Sequence, residues 1–513
     1  MGTSQVCILI TIIVYLVGMV LIGVFFSKRN KDVGDYYLGG RKLGPLVSAM
    51  SAEASDMSSY LLMGLPGLAY LTGLAEAGWT IIGLAIGTYL NWLIVAKRLR
   101  VYSQKTGSIT IPDFFSDRFR DKSGLIMGVS AVIIIVFFVP YTASGFSACG
   151  KLFKTLFGAN YHVAMIISAI VIISYTMLGG FSAASFTDLI QSIVMTIALV
   201  IIVIFGIETA GGLSNVVDNA KSVGGYFSLT SIFDPETGGS NKYSFLQIAS
   251  TLAWGLGYFG MPHILLRFMA VKDKEKIKLS RRIASIWVVI AMSVAIFIGF
   301  IGSTLSSSGV IEKLTTSADS ETVIMKIATV LSDKGVIFAL AAGLIFAGIL
   351  ACTMSTADSQ LLAASSSMSE NIIKGVFKVK ISEKMSMITA RIVLVAIALI
   401  GIVLAWDPNS SVFRIVSFAW AGFGATFGPL MLCALFWKRT NKWGAICGLV
   451  TGGVMVFVWK FVISKLGGVF AIYELLPAFI MALIVIIVVS LATSAPEQEI
   501  VDEFDAVGEE MKA

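Results

Sequence analysis

Residues 46–71 read LVSAMSAEASDMSSYLLMGLPGLAYL. The stretch is long enough for a membrane helix, which needs about 20 apolar residues to cross roughly 30 Å of hydrocarbon. Its middle does not suit a plain one. Between Ser51 and Ser59 it holds two carboxylates, Glu53 and Asp56, and four serines. A charge at a helix centre costs about 2.5–3.5 kcal/mol on insertion scales, so such residues are read as functional. Ser and Asp side chains also compete for backbone hydrogen bonds and weaken the helix. Freed carbonyls at membrane depth are tolerated where they line a cavity or find other partners. Such oxygen-rich surroundings suit a hard cation such as sodium. A bent helix with interhelical hydrogen bonds is the plainer alternative for this segment alone.

The rest of the chain has the same character. Of 513 residues, 57% are apolar and 13% charged, against about 25% charged in an average soluble domain. A soluble enzyme, a nucleic-acid binder and a disordered scaffold are excluded. Hydrophobic runs predict an all-α integral membrane protein with thirteen spans, at roughly 6–26, 46–71, 77–96, 123–149, 160–178, 189–209, 244–265, 283–305, 335–370, 385–405, 411–435, 443–462 and 471–492. The first is no cleavable signal: its flank MGTSQ is uncharged, and Lys28, Arg29 and Lys31 follow it. With the N-terminus outside and the C-terminus cytoplasmic, 28 of the 38 Lys and Arg fall on the inner side. This agrees with the positive-inside rule for a multi-pass cell-membrane protein. Residues 210–243 read as an outer loop. The tail 493–513 is acidic, carries Lys512, and reads as a solvated or short helical end without assigned function. Five scattered cysteines, no CxxC pair and two histidines leave little for a disulfide framework, a zinc site or a catalytic triad. The chain is not expected to be an enzyme.

The seventh span carries AWGLGYFGMPH, with Gly255, Gly257, Gly260 and Pro262 within eight residues. Glycine costs about 1 kcal/mol and proline about 3 in a helix interior, so this helix too is expected to break. Trp254, Tyr258 and Phe259 flank the break and are placed to wall a small organic substrate. The two interrupted helices open two five-helix groups, at 46–209 and 244–435. An odd number of spans per group puts the copies in opposite orientations. Interrupted helices in matching positions of inverted halves point to a transporter's midplane site. Residues 1–45 then form an extra N-terminal helix and loop, and 443–492 two peripheral helices. The ninth span includes ACTMSTADSQLLAASSS, in which Ser355 and Thr356 offer adjacent hydroxyls. These either complete an oxygen cage with the Cys352 carbonyl and the second span, or bond back to their own helix.

A series of motifs runs in order along the chain: YYLGGRKLGP (36–45), ASDM (54–57), LLMGLPG (61–67), RLRVY (98–102), TIPDFF (110–115), YTASG (141–145), WGLGYFG (254–260), RFMA (267–270), MST (354–356) and WAGFGATFGP (420–429). Together they resemble the sodium/solute symporter family, and within it the sodium/proline branch, over nearly the whole chain. The resemblance implies a LeuT-like inverted five-plus-five core with one extra helix before it and two after. It implies sodium held by the carbonyls of Ala54, Met57 and Cys352 and the hydroxyls of Ser355 and Thr356. Asp56 and Asp188 would lie on the sodium path. L-Proline would contact Ser58, Ser59, Tyr141, Trp254, Tyr258 and Pro262. Four residues depart from the family pattern: Cys352 where alanine is common, Ser59 where glycine is usual, Met261 in place of glutamine, and Glu53 in place of a small residue. Glu53 is either a satisfied carboxylate at a cytoplasmic vestibule, the plainer reading, or a possible second cation or proton site.

The resemblance thus implies coupled uptake in the lipid bilayer, with sodium as the coupling ion, L-proline as the substrate and no nucleic acid. One sodium entering down 100 mV gains about 2.3 kcal/mol from the potential alone, enough for tens-fold accumulation. The alternative is a sodium- or proton-coupled symporter of another small amino acid, a betaine or a carboxylate. The sequence leaves the oligomeric state open.

Overall fold

The computed structural model describes residues 2–28 and 32–511; Arg29, Lys31 and Lys512 lie outside them. Among the described residues, ten helices are long and apolar enough to cross a membrane. They differ from the thirteen expected spans at three places, each with a physical cause.

The first is the quoted stretch. After α1 (Thr3–Ser27), helix α2 (Pro45–Ser59) runs until Ser58, whose φ of 47° and ψ of −170° turn the chain out of helical geometry. An L residue with positive φ costs about 1–3 kcal/mol and persists where the surroundings over-determine it. A π-helical turn, Tyr60–Gly64, then leads into α3 (Leu65–Thr72). The second lies beyond α4 (Leu74–Thr106) and α5 (Leu125–Phe157). The expected fifth and sixth spans join in one run, α6 (Tyr161–Thr209), divided at Gly180. There φ is 61°, and a Cβ would lie 2.8 Å from the Tyr36 carbonyl oxygen; only glycine fits without displacement. The third is the seventh span: α7 (Phe245–Leu252), a 3-10 stretch Ala253–Gly260, and α8 (Pro262–Ala270). Pro262 opens α8, where its missing N–H costs nothing.

The remaining long helices are α9 (Ile277–Ser307), α10 (Val336–Val376), α11 (Glu383–Leu404), α12 (Val412–Phe436), α13 (Lys442–Phe461) and α14 (Leu475–Ala492). In α12 and α10, 89% and 67% of the most apolar window is buried, against 22% in α1 and 28% in α13. The first pair form the centre, and the second pair present apolar flanks to lipid.

Two segments read as loop and tail carry structure. Residues 210–243 contain a helix, Leu213–Ser222, and an antiparallel hairpin of β1 (Ser231–Asp234) and β2 (Gly239–Lys242), with Ser231 opposite Lys242. The buried Tyr226 hydroxyl donates to the Tyr70 carbonyl at 2.8 Å, which docks this segment on the end of α3. The tail forms α15 (Gln498–Glu510), with Ile500, Phe504 and Val507 buried. Glu499 pairs with Arg120, and Asp505 with Lys438 at 3.2 Å.

The interrupted seventh span lies directly on α4. A Cβ on Gly255 would stand 2.2 Å from the Gly83 carbonyl oxygen, and one on Gly87 2.3 Å from that of Gly255. Small residues let membrane helices approach this closely. Overpacking commonly costs about 1–3 kcal/mol. Gly255→Val is therefore expected to lower the Tm of the purified protein by several degrees; an unchanged Tm would show that the two backbones do not meet there.

Candidate functional site

The break in α2 faces the middle of α10. Ser355 Oγ donates to the Ala54 carbonyl at 2.8 Å and approaches the Cys352 carbonyl at 3.2 Å; Thr356 Oγ1 donates to the same Cys352 carbonyl at 3.3 Å. The Met57 carbonyl accepts the Tyr60 N–H just past the break. All five candidate ion ligands are buried. Four of them are directly linked, and Met57 sits one turn from Ala54 on the same face. The donor set is wholly carbonyl and hydroxyl oxygen. A hydroxyl that rotates its hydrogen away turns a lone pair inward, so these groups fit a dehydrated monovalent cation. Cys352 takes part through its carbonyl, so its side chain does not alter this set.

The other polar face of α2 meets α4 and the seventh span. Tyr258 donates its phenol to Asp56 Oδ2 at 2.6 Å, and Trp92 Nε1 donates to Glu53 Oε1 at 3.1 Å. Glu53 is 1% exposed. It lies against Trp92 inside the protein, not in an open vestibule.

Aromatic rings gather over the break. Trp254 stacks with Tyr473 at 5.0 Å, Tyr60 at 5.8 Å and Phe413 at 6.0 Å between centroids, and its carbonyl accepts Trp420 Nε1 at 2.8 Å. Tyr141 on α5 stands beside Ser58 and Asp56. Ser58 Oγ accepts the Tyr60 N–H at 3.1 Å, and the buried Ser59 Oγ has no partner among the described residues. Ser58, Ser59, Tyr141 and Trp254 thus come together at the break. Tyr258 is committed to Asp56, and Pro262 is the buried first residue of α8.

Asp188 is placed differently from a lone carboxylate on an ion path. Its Oδ2 accepts Ser51 Oγ at 2.6 Å and Arg267 Nη2 at 3.1 Å, in an ion pair whose side chains are at most 1% exposed. Arg267 also donates to Ser51 at 3.0 Å, Ser359 at 2.5 Å and the His263 carbonyl at 2.9 Å. Ser359 donates to Asp358, which also accepts the Tyr175 phenol at 2.9 Å. The cluster joins α2, α6, α8 and α10. Sequence reasoning missed Arg267 and Asp358. The signal was present, since Asp358 lies inside a span and Arg267 two residues beyond the end of the one at 244–265.

The matching family model is the sodium:solute symporter family, over residues 36–452. The chain belongs to the sodium:solute symporter family. It is a multi-pass membrane transporter and not an enzyme, and sodium is its coupling ion. Its relatives include a high-affinity proline transporter of Bacillus subtilis, 41% identical over 95% of this chain and 98% of the relative. A sodium/proline symporter of Haemophilus influenzae is 42% identical over 97% of each chain. One of Staphylococcus aureus is 39% identical over 95% of this chain and 93% of the relative. Among solved structures, a substrate-bound, outward-open sodium-coupled sialic acid symporter matches with a TM-score of 0.79 at 19% identity, covering 96% of this chain and 99% of that one. A nucleobase-cation symporter in a closed conformation matches with a TM-score of 0.53 at 14% identity, covering 91% and 98%. These two likenesses establish the inverted-repeat fold alone.

Removing one partner of a buried ion pair costs about 3–5 kcal/mol, because the other charge stays buried and unpaired. Arg267→Gln is expected to lower the Tm of this symporter sharply, and the double variant Asp188→Asn/Arg267→Gln to recover most of the loss. Equal losses in the single and double variants would contradict the pairing.

Proposed function

We propose that this symporter carries L-proline into the cell together with sodium, by alternating access about the break in α2. The contact of Ser355 with the Ala54 carbonyl is the observation that carries the reading. It brings the hydroxyls of α10 to the one place in α2 where backbone oxygens leave the helical ladder. Sodium held by Ala54, Met57, Cys352, Ser355 and Thr356 bridges these two helices and favours the state in which they are together. The relatives named as proline transporters support the substrate. Proline would lie at the break, its carboxylate on freed backbone N–H groups and its ring against Trp254 and Tyr141, with Ser58 and Ser59 beside it. Coupling is reciprocal: each ligand raises the other's affinity by the same factor.

The same reading orients the chain with the N-terminus outside and the C-terminus in the cytoplasm. It divides the chain into inverted repeats at 46–209 and 244–435 and counts thirteen passages. The Arg267–Asp188 cluster then lies on the cytoplasmic side of the ion. For sodium to leave past Asp188, Arg267 must let go of at least one of its four partners, so the cluster acts as the inner closure. Asp56, held by Tyr258, fixes the backbone just before the break.

The test is radiolabelled proline uptake into proteoliposomes under an inward sodium gradient, with choline replacement as the control. Wild-type chain is expected to accumulate proline at least tens-fold, and Ser355→Ala/Thr356→Ala to lose accumulation. Uptake unaffected by choline replacement would sink the coupling. Absence of proline uptake would sink the substrate and direct attention to Ser59 and Met261.

A further inference from the structure

The ligands read for the coupling ion occupy one face of α2. Glu53 and Asp56 occupy another, about 100° round the helix at 3.6 residues per turn. This second face meets α4 and the 3-10 stretch between α7 and α8 through the side chains of Trp92 and Tyr258. Trp92 and Tyr258 donate to Glu53 Oε1 and Asp56 Oδ2. Asn91 spends its amide on the Tyr258 carbonyl at 2.9 Å. Four oxygens remain. Among the described residues, Glu53 Oε2, Asp56 Oδ1, Thr88 Oγ1 and Asn91 Oδ1 have no hydrogen-bond partner. Their residues are 1%, 6%, 1% and 0% exposed. Thr88 and Asn91 are three apart on α4 and share a face, and the Thr88 hydroxyl stands beside the Tyr258 phenol that holds Asp56.

Buried polar atoms are nearly always satisfied, and leaving one without a partner is costly. Four on neighbouring residues of α2 and α4 call for a common explanation. Every one can accept, and with both carboxyls ionised three of them only accept. The two donors that reach the carboxylates, an indole and a phenol, are neutral. The nearby guanidinium of Arg267 is committed to Asp188, Ser51, Ser359 and the His263 carbonyl. Among the described residues neither carboxylate has a cationic partner, and a buried charge without one is strongly disfavoured. A lining of acceptor oxygens alone is what a hard cation requires.

We propose that Glu53, Asp56, Thr88 and Asn91 form a second sodium site, separate from the one at Ala54 and Ser355. It rests on the sodium-coupled reading above but not on proline as the substrate. An ion there ties α2 to α4 and the seventh span, while the first ion ties α2 to α10. Both sides of the broken helix are then held by the same solute, and one transport cycle moves two sodium ions. Glu53 is the residue that makes the site, since it adds the second carboxylate where the family pattern has a small side chain.

The test counts sodium directly. Equilibrium binding of radioactive sodium to the purified full-length chain, without proline, is expected to saturate at two ions per molecule. Glu53→Gln keeps the size of the side chain and is expected to reduce the count to one. Ser355→Ala/Thr356→Ala, which strips the other site, is also expected to give one, and the combined variant none. A wild-type count of one, or a count of two in Glu53→Gln, overturns the proposal. A parallel proline uptake assay separates the two readings. Two bound ions without proline transport keep the site and remove the substrate; proline transport with one bound ion removes the site.

Discussion

The structure depends on one awkward requirement: a peptide backbone must leave helical geometry at Ser58 in a segment surrounded by other spans. Every freed N–H and C=O there needs a partner, because hydrocarbon offers none. The neighbouring elements are arranged to supply them. The Met57 carbonyl and Ser58 hydroxyl both receive the Tyr60 N–H, and α10 brings Ser355 to the Ala54 carbonyl. A break satisfied in this way is stable and can also exchange its partners. The hydroxyl that donates to Ala54 also carries lone pairs that can turn to another partner.

Two kinds of contact flank that point. Along α2 toward its start lies a dry ionic cluster in which Arg267 is shared among Asp188, Ser51, Ser359 and a carbonyl. Toward α3 lies a stack of rings, Tyr60, Phe413, Trp254 and Tyr473. The physics of opening differs between them. Rings slide apart at a cost set by area, gradually and without preferred partners. The ionic cluster separates as a unit, since pulling Arg267 from one partner weakens its hold on the rest.

Much of this was legible in the sequence. The serine and carboxylate run in residues 46–71 located the first break, and the glycine–proline run at 255–262 located the second. Both follow from local backbone energetics, which a sequence states directly. The approach of Ser355 to Ala54 was legible only through the family resemblance, since it joins residues about 300 positions apart. The Arg267 cluster escaped because charge counting assigns a residue near a span's end to the loop, whereas tertiary contact draws this one inside. The join of the fifth and sixth spans at Gly180 escaped because one glycine in an apolar run looks like any other. Only the 2.8 Å approach of Tyr36 shows what that glycine is for. The docking of α15 on Arg120 and Lys438 was hidden for a similar reason, since an acidic tail reads the same whether it is free or bound.

In the proposed cycle sodium binds at the break and holds α2 against α10. A ligand that binds only the folded state stabilises it by RT ln(1 + [L]/Kd), about 2.7 kcal/mol at one hundred times Kd. The most direct measurement is the Tm of the purified chain against sodium concentration without any organic substrate, with choline holding ionic strength constant. The expected result is a Tm that climbs with sodium in wild type, and a climb that shrinks markedly in Ser355→Ala/Thr356→Ala. A Tm indifferent to sodium, or a rise of the same size in that variant, would contradict it.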